Sequence, residues 1–563
     1  FLTIVLFKIY NDYYSKKNKS NGWYIFLSIL FSIFLTIGYS YNKIDSWNLC
    51  FKSFPFIVIT IIKIFSFSFL INMILNYAEQ FIMKKKDIKI SDKLKKLFEE
   101  KPFLFSVIVM IICWLPYIIA FYPAILSPDP SHQIKQFFGI ETKYMDYTIQ
   151  YENPSTITNH HPVLHTVLLG GCVKIGHVLF DSTNIGLFLY SIIQIIILVS
   201  TLAFTIKYMK TLKTPLYLRL MTLIVYSLVP VFPLYGMSAV KDVIFTSLVI
   251  LYMISIYHLI KNNKENISCK NIILLIILMI LIMLMRNNGI YLIVMSFPFL
   301  LIVNKNRLKL LIILVIPVVL YSSYNNYLLP CLRISQGSVR EMLSIPFQQT
   351  ARYVKEDYDN LDKDEIKAID KVLDIETLAE RYKPEISDPV KNEFNKYTTD
   401  KELKEYFRVW LKGLFKRPDI YVQATINNIY GYLTPDTANW YVYTNYDKRL
   451  SEESIFNYRF NKLSILRNTL EGYALSYPYL PLIGLLVNIG FNVWCYMFMF
   501  VTLLKRKQYK YLIYITPVIS LVLVCFASPV NTYFRYAMPY VFALPIMLAI
   551  FKNIISEKSD NNE

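Results

Sequence analysis

Long apolar stretches separated by short polar loops make up most of the chain. Runs such as "WYIFLSILFSIFLTIGYS" at 23–40 are close to the roughly 20 helical residues that cross a hydrocarbon layer about 30 Å thick. Other such runs lie at about 54–75, 103–126, 184–205, 216–234, 242–260, 271–285, 289–303, 309–324, 476–503, 511–527 and 534–552. The pattern predicts an all-α polytopic membrane protein with about twelve transmembrane helices, or thirteen if "FLTIVLF" at the start belongs to another.

Two segments depart from this pattern. The helix "PVLHTVLLGGCVKIGHVLF" at 162–180 is short and carries polar residues, and crossing the membrane would place the later basic loops outside, so it is predicted to lie in the outer interface. Residues 325–473 are polar, with Ile366, Ile369 and Val372 at helical spacing, which predicts an external, mainly helical domain.

The predicted organisation therefore has three parts. Residues 1–324 form an N-terminal transmembrane module that includes the first large external loop at 123–161 and the interfacial helix. Residues 325–473 form the external domain. Residues 474–563 form the C-terminal transmembrane helices and a cytoplasmic tail.

Charge then fixes the expected orientation. The net charge is +19 and 55% of the residues are hydrophobic. The basic loops, such as "KKKDIKISDKLKK" at 84–96 and "KNNKENISCK" at 261–270, all fall on one side when the spans are counted. The positive-inside rule makes that side the cytoplasm, so the charge implies a lipid bilayer and no nucleic-acid partner. The seven cysteines are scattered, with no CxxC pair, and do not indicate a disulfide framework or a metal site.

The first external loop gathers unusual polar chemistry in "SPDPSHQ" and "NHHPVLHT". Asp129 stands between two prolines near the end of the third span, where it could act as a general base, bind a divalent cation or simply belong to a turn. His160, His161 and His165 could bind a metal, hydrogen-bond a phosphate or sugar hydroxyl, or cap a helix, and His132 lies in the same loop.

Charged residues also occur at the outward ends of later spans. Lys241 and Asp242 begin one span, Arg286 ends another and Arg535 begins the last. Each cation alone could be an ordinary anchor at the interface. Together they indicate a shared anionic ligand, because Arg binds phosphate as a fork and Lys as a point charge.

The motifs "SPDPSHQ", "NHHPVLHT", "SAVKD", "MRNNGIY", "SIPFQQTARYVKE" and "SPVNTYFRYAMP" resemble an uncharacterised bacterial family placed near the GT-C superfamily of integral-membrane glycosyltransferases. The layout resembles that superfamily over almost the whole chain, and "HHPVLH" is similar to a histidine-proline element of its characterised members. The first loop departs from their pattern, since Asp129 has no acidic partner beside it. The acceptor motif WWDYG of oligosaccharyltransferases is absent, which argues against Asn-linked transfer.

The resemblance implies transfer of a sugar, usually with inversion, from a polyprenyl-phosphate donor to an acceptor outside the cell membrane. Asp129 would be the catalytic base, and no cofactor is firmly implied, although a divalent cation stays open. The implied substrate contacts are His132, His160, His161, His165, Lys241, Asp242, Arg286, Asn287, Gln349, Arg352, Arg535 and Tyr536.

Three other functions remain open at this point. A polysaccharide polymerase or ligase would use a lipid-linked glycan chain. A transporter or flippase of lipid-linked sugars would be expected to show inverted repeats and polar residues near the bilayer midplane. A non-catalytic scaffold would leave Asp129 and Arg535 without a shared ligand.

Overall fold

The computed structural model describes residues 7–8, 10–11, 13, 21–83, 92–147, 151–436, 441–444 and 447–557. Helices provide nearly all the regular structure, and the β pairing found within these ranges consists of isolated bridges. The prediction of an all-α chain is confirmed.

The first part of the chain forms a bundle of mostly long, apolar helices. These are α1 (Gly22–Ile44), α2 (Asn48–Phe51), α3 (Phe54–Met83), α4 (Asp92–Glu100), α5 (Pro102–Ala120), α6 (Pro128–Phe137), α7 (Val163–Phe180), α8 (Thr183–Thr211), α9 (Leu216–Leu228), α10 (Val231–Met237), α11 (Lys241–Lys261), α12 (Cys269–Met285), α13 (Gly289–Ser296), α14 (Leu300–Val303) and α15 (Arg307–Ser323).

Shorter, more polar helices follow before the chain returns to the bundle. They are α16 (Leu329–Cys331), α17 (Ser344–Asp357), α18 (Lys363–Asp370), α19 (Ile375–Arg381), α20 (Asp388–Lys391), α21 (Asp400–Lys416), α22 (Pro418–Ile429), α23 (Ser464–Ser476), α24 (Ile489–Lys505), α25 (Thr516–Phe526) and α26 (Phe534–Glu557). Single turns of 3₁₀-helix connect several of these, and a π-helical turn at Tyr324–Leu328 extends α15.

Nine helices of the described ranges are long and apolar enough to cross a membrane, and the pair α9 and α10, bent by 49°, would be a tenth. The predicted spans at 271–285, 289–303 and 476–503 correspond to shorter apolar helices. In the last of these, the continuous helix begins only at Ile489, after 3₁₀ turns at Tyr477–Tyr479 and Ile483–Val487. Helix α7 is among the nine, so its interfacial position stays a prediction, as does the total of twelve spans.

The centre of the bundle is formed by α11 and α26, whose apolar windows are 78% and 83% buried. Helices α7 and α8 pack as a close antiparallel pair. A Cβ atom added at Gly176 would lie 2.3 Å from the backbone nitrogen of Gly186, so only glycine permits this approach.

The polar segment 325–473 contains two parts that are anchored differently. Helices α17 to α22 surround a hydrophobic core of their own, which includes Phe347, Leu373 and Tyr406. Leu450 and Tyr458 instead pack in a second cluster with residues of α6, α7 and α8. The segment is therefore helical at its core, and its later portion belongs to the surface of the bundle.

An ionic cluster lies where α3 and α24 end. Glu79 receives hydrogen bonds from Lys505 at 2.5 Å, from Arg506 at 2.9 Å and from the hydroxyl of Tyr24 at 2.8 Å. Glu79 is a single acid inside an otherwise apolar helix, and burial requires such a charge to be paired.

Candidate functional site

The loop after α5 is joined to the segment that precedes α11. The amide of Ile125 donates to the carbonyl of Met237 at 2.8 Å, and the amide of Ala239 donates to the carbonyl of Ile125 at 3.0 Å. Asp129 follows four residues after Ile125, and Lys241 opens α11 soon after Ala239. This pairing places the two charged residues at the same end of the bundle.

Asp129 lies in the first turn of α6, which begins at Pro128 after an extended Ser127. Proline suits that position because its missing N–H has no partner in the helix, and the N-terminal end of the helix favours an acidic side chain. The Asp129 side chain is 26% exposed, more than the other acid of this region, Asp242, which is fully buried.

A hydrogen bond and two ion pairs join the charges into one chain of contacts. Arg535 donates from Nη1 to Oδ2 of Asp129 at 2.9 Å. Its Nε lies 3.3 Å from Oδ2 of Asp242, and Nη1 of Arg286 lies 3.0 Å from Oδ1 of Asp242. Asp242 is completely buried, and both arginine side chains are 8% exposed. We call Asp129, Lys241, Asp242, Arg286 and Arg535 the charged cluster.

Aromatic rings cover the two guanidinium groups. Arg286 lies 4.3 Å from the ring centre of Tyr536, and Arg535 lies 4.9 Å from that of Tyr533 and 5.6 Å from that of Tyr536. Cation–π contacts of this kind are strongest away from water. Tyr536 therefore contacts both arginines.

Three histidines surround one tyrosine beside the charged cluster. The Tyr144 ring stacks on His160 at 4.2 Å and meets His161 and His132 edge-on at 5.1 and 5.2 Å. Nζ of Lys241 lies 3.2 Å from Nδ1 of His161, which accepts a hydrogen bond in the neutral tautomer that carries its proton on Nε2.

Burial keeps these histidines neutral at pH 7. It lowers the pKa of His132 and of His160 to about 4, and it lowers the pKa of His161 well below its usual value. A neutral imidazole can donate one hydrogen bond and accept another, so these rings suit hydroxyl groups better than they suit a bare anion.

Opposing effects act on Asp129. Burial raises the pKa of its carboxyl, but the surrounding cations, Arg535 first, lower it by more, and the pKa lies well below its ordinary value. Asp129 is therefore ionised at neutral pH. The charged cluster contains three basic side chains, Lys241, Arg286 and Arg535, and two acidic ones, Asp129 and Asp242.

Asn287 acts on the site through the backbone. Its Nδ2 donates to the carbonyl of Asn159 at 2.8 Å, just before His160. Nδ2 of Asn159 donates in turn to Gln336 at 2.9 Å. Asn287 thus positions the histidine loop.

The structure places three of the expected substrate contacts elsewhere. His165 is buried between Gln133, at 3.1 Å, and Tyr190, at 2.8 Å. Oε1 of Gln349 accepts from Trp410 at 2.9 Å, inside the core of α17 to α22. Arg352, also on α17, is ion-paired with Glu356 at 2.8 Å.

Sequence reasoning missed Tyr144 and Gln194. Nε2 of Gln194 donates to the carbonyls of Tyr235, Gly236 and Ser238 at 3.0, 3.0 and 2.7 Å, and so fixes the backbone that leads to Lys241. The signal available for Gln194 was an amide in the middle of the apolar run 184–205, whose other amide, Asn184, stands at its start. Tyr144 carried no signal, because the chain has 45 tyrosines.

The side chains present do not favour a metal. No group of three His, Cys, Asp or Glu in the described part of the chain is arranged to hold one. Asp129 and Asp242 instead face guanidinium groups. We therefore derive no step that involves a cation cofactor.

These features define an all-helical protein with many apolar helices and a buried charged cluster where several helix ends meet. The chain belongs to a family of unknown function (DUF6020), whose model matches residues 15–563. Neither the curated proteins nor the solved structures contain a significant match to the chain.

Proposed function

We propose that the protein is a membrane glycosyltransferase that moves a sugar from a polyprenyl-phosphate donor to an acceptor outside the cytoplasmic membrane. The observation that carries this proposal is the contact of Arg535 with both Asp129 and Asp242. It joins the carboxylate of a partly exposed side chain to buried cations within one site, which is the combination that such a transfer requires.

The cations of the charged cluster would bind the donor's phosphate. Arg286 and Arg535 offer planar donors, and Lys241 offers a point charge at the start of α11. Basic side chains outnumber acidic ones in the cluster by three to two, which favours an anionic group. Because aromatic rings and burial exclude water around the arginines, their attraction for that group is stronger than at an open surface.

Asp129 provides the base. The oxygen of an acceptor hydroxyl would bond to the anomeric carbon while its proton passes to the Asp129 carboxylate. The bond between that carbon and the phosphate oxygen would break, and its electron pair would remain on the polyprenyl phosphate. Lys241 and the arginines would stabilise the charge that develops there.

Arg535 would couple binding of the donor's phosphate to the basicity of Asp129. Before the donor binds, its guanidinium holds the pKa of Asp129 well below the ordinary value, which makes the carboxylate a weak base. A phosphate that competes for Arg535 weakens this hold and raises the basicity of Asp129. The base therefore becomes effective when the donor is present.

The direct test uses the full chain in lipid nanodiscs with synthetic polyprenyl-phosphate hexoses and a cell-envelope acceptor fraction. The wild type should release polyprenyl phosphate, and Asp129→Asn should release it about 100-fold more slowly. Lys404→Ala, on the exposed face of α21, serves as the matched control. Equal release by wild type and Asp129→Asn would remove the basis for the assignment.

A further inference from the structure

A polar cavity lies apart from the charged cluster. Its volume is about 510 Å³, within the range of roughly 300 to 1,000 Å³ that small-molecule sites occupy. It opens between the turn that follows α1, helix α17, the segment after α19 and the start of α22. Its lining includes Trp47, Asn48, Arg352, Lys355, Tyr382 and Gln423.

Hydrogen bonds between distant parts of the chain hold these walls together. Oε1 of Gln423 accepts from the hydroxyl of Ser46 at 2.8 Å. The carbonyl of Asp45 accepts from Arg352 at 3.2 Å and from Asn427 at 2.8 Å. These hydrogen bonds fix the turn after α1 onto helices α17 to α22, so the walls of the cavity are held in place by the fold.

The charges on the lining nearly cancel. Arg352 and Lys355 are balanced by carboxylates, and Arg352 contacts Glu356 directly at 2.8 Å. A phosphate or an acidic polymer would meet this mixture without net attraction. Lipid tails and peptide anchors would require apolar walls, which this lining does not provide.

The remaining chemistry matches a polyhydroxylated ligand. Sugar hydroxyls both donate and accept, as do the amides of Asn48 and Gln423, while a guanidinium can bind two neighbouring oxygens. Trp47 is partly exposed and lines the cavity, and an indole ring can pack against the C–H side of a sugar. We propose that this cavity binds a short neutral saccharide.

The location also suggests what the saccharide is for, and this part of the inference rests on the proposed function. The side chain of Asn428, on α22, donates to the carbonyl of Ser528 at 2.9 Å. The backbone N–H of Asn531 donates to the backbone carbonyl of Glu385 at 2.9 Å. The elements that form the cavity therefore also support residues 528–531, which lead directly to Arg535, and the saccharide would belong to the acceptor.

Binding can be measured by saturation-transfer NMR with the full chain in nanodiscs. The probes are maltotriose, cellotriose and triacetylchitotriose, with trigalacturonic acid and a neutral tripeptide as comparisons. At least one neutral saccharide should bind, Trp47→Ala should weaken it about tenfold, and Trp47→Tyr should restore most of the affinity. Lys404→Ala should bind as the wild type does.

Three outcomes would overturn the inference: no neutral saccharide binds, binding is confined to trigalacturonic acid or the peptide, or Trp47→Ala binds normally. Asp129→Asn separates this inference from the proposed function. Normal binding with unchanged donor release in Asp129→Asn would reject the transferase and keep the saccharide site. If donor release depends on Asp129 but no saccharide binds, the transferase is kept and the saccharide site is rejected.

Discussion

Arg535 donates a hydrogen bond to Asp129 at 2.9 Å, although the two residues stand 406 positions apart in the chain. One begins the last long helix and the other begins α6. The contact couples the ionisation of the proposed base to the position of a cation that the donor's phosphate would also require.

Arg535→Lys should change how activity depends on pH. Lysine cannot reach both carboxylates as a fork does, so it should lower the pKa of Asp129 less than arginine does. The acidic limb of the donor-release profile should therefore move to higher pH, and the maximal rate should fall about 100-fold. The profile is measured from about pH 4 to pH 8.

Arg219→Lys is the control for this substitution. Arg219 is also buried and ion-paired, with Glu99 at 2.5 Å, but it lies on α9 away from the charged cluster. Its variant should keep the wild-type profile. An acidic limb that stays in place in Arg535→Lys would show that Arg535 does not control the ionisation of Asp129.

Asp242→Asn should destabilise the fold more than Asp129→Asn does. Asp242 is fully buried between two arginines, so removing its charge takes the acidic partner from Arg286 and leaves Arg535 with Asp129 alone. Breaking a buried ion pair costs about 3–5 kcal/mol, whereas Asp129 is partly exposed and its cation retains Asp242.

Thermal unfolding in nanodiscs, followed by the reactivity of the buried Cys525, measures this difference. The double variant Asp242→Asn/Arg286→Met should recover part of the loss, because it removes the cation that loses its ion pair with Asp242. If Asp242→Asn and Asp129→Asn melted alike, Asp242 would not be the anion that stabilises the arginines.

The sequence anticipated the ends of the helices better than the contacts between them. Counting apolar runs and basic loops put Asp129, Lys241, Arg286 and Arg535 on one face, because both patterns are local. It could not show that Asp242 bridges two arginines, since that depends on how α11, α12 and α26 pack. His165 was predicted to contact the substrate, but it hydrogen-bonds to Gln133 and Tyr190. A local sequence pattern could not show this, because both partners lie far from His165 in the sequence. Arg352 was likewise predicted to contact the substrate beside Asp129, but it lines the separate polar cavity.

Acidification should lower the stability of the fold. The folded-state pKa of His132 and of His160 is about 4, below the unfolded value of about 6.5, so the unfolded state binds protons first as the pH falls. Stability should therefore decrease from about pH 6.5 towards pH 4. The carboxyl of Asp129 adds a further loss only at lower pH, because its own pKa is depressed.

Unfolding temperatures at several pH values should decrease more steeply for the wild type than for His160→Asn. His258→Asn is the matched control, because His258 is exposed at the far end of α11. If the wild type and His160→Asn showed the same pH dependence, His160 would not be held neutral by burial.

Glu79→Gln should destabilise the protein without affecting donor release. It removes the anion that Lys505 and Arg506 share, and hydrogen bonds to charged groups are worth about 1.5–3 kcal/mol. The unfolding temperature should fall while the rate per folded molecule stays unchanged. A selective loss of rate would instead place this cluster in the reaction.

Two native cysteines can determine whether α7 crosses the membrane. The amide of Asn159, before α7, donates to the carbonyl of Ser335 at 2.8 Å, soon after Cys331, so these two loops share one side. Six apolar segments, starting with α8 and ending with α15, lie between Phe180 and Cys331. If all six cross, an even number of crossings already returns the chain to that side, and α7 must lie in the interface. Cys331 and Cys269 are both exposed, and Cys269 follows an odd number of these segments.

A membrane-impermeant thiol reagent applied to intact cells should therefore label Cys331 and spare Cys269 until the cells are permeabilised. Lys143→Cys, in the loop before α7, should react together with Cys331. Single-cysteine variants in a background without the other cysteines give an unambiguous readout. Labelling of Cys269 from outside would mean that the orientation inferred from the basic loops is wrong. Opposite accessibility of Lys143→Cys and Cys331 would mean that α7 crosses the membrane.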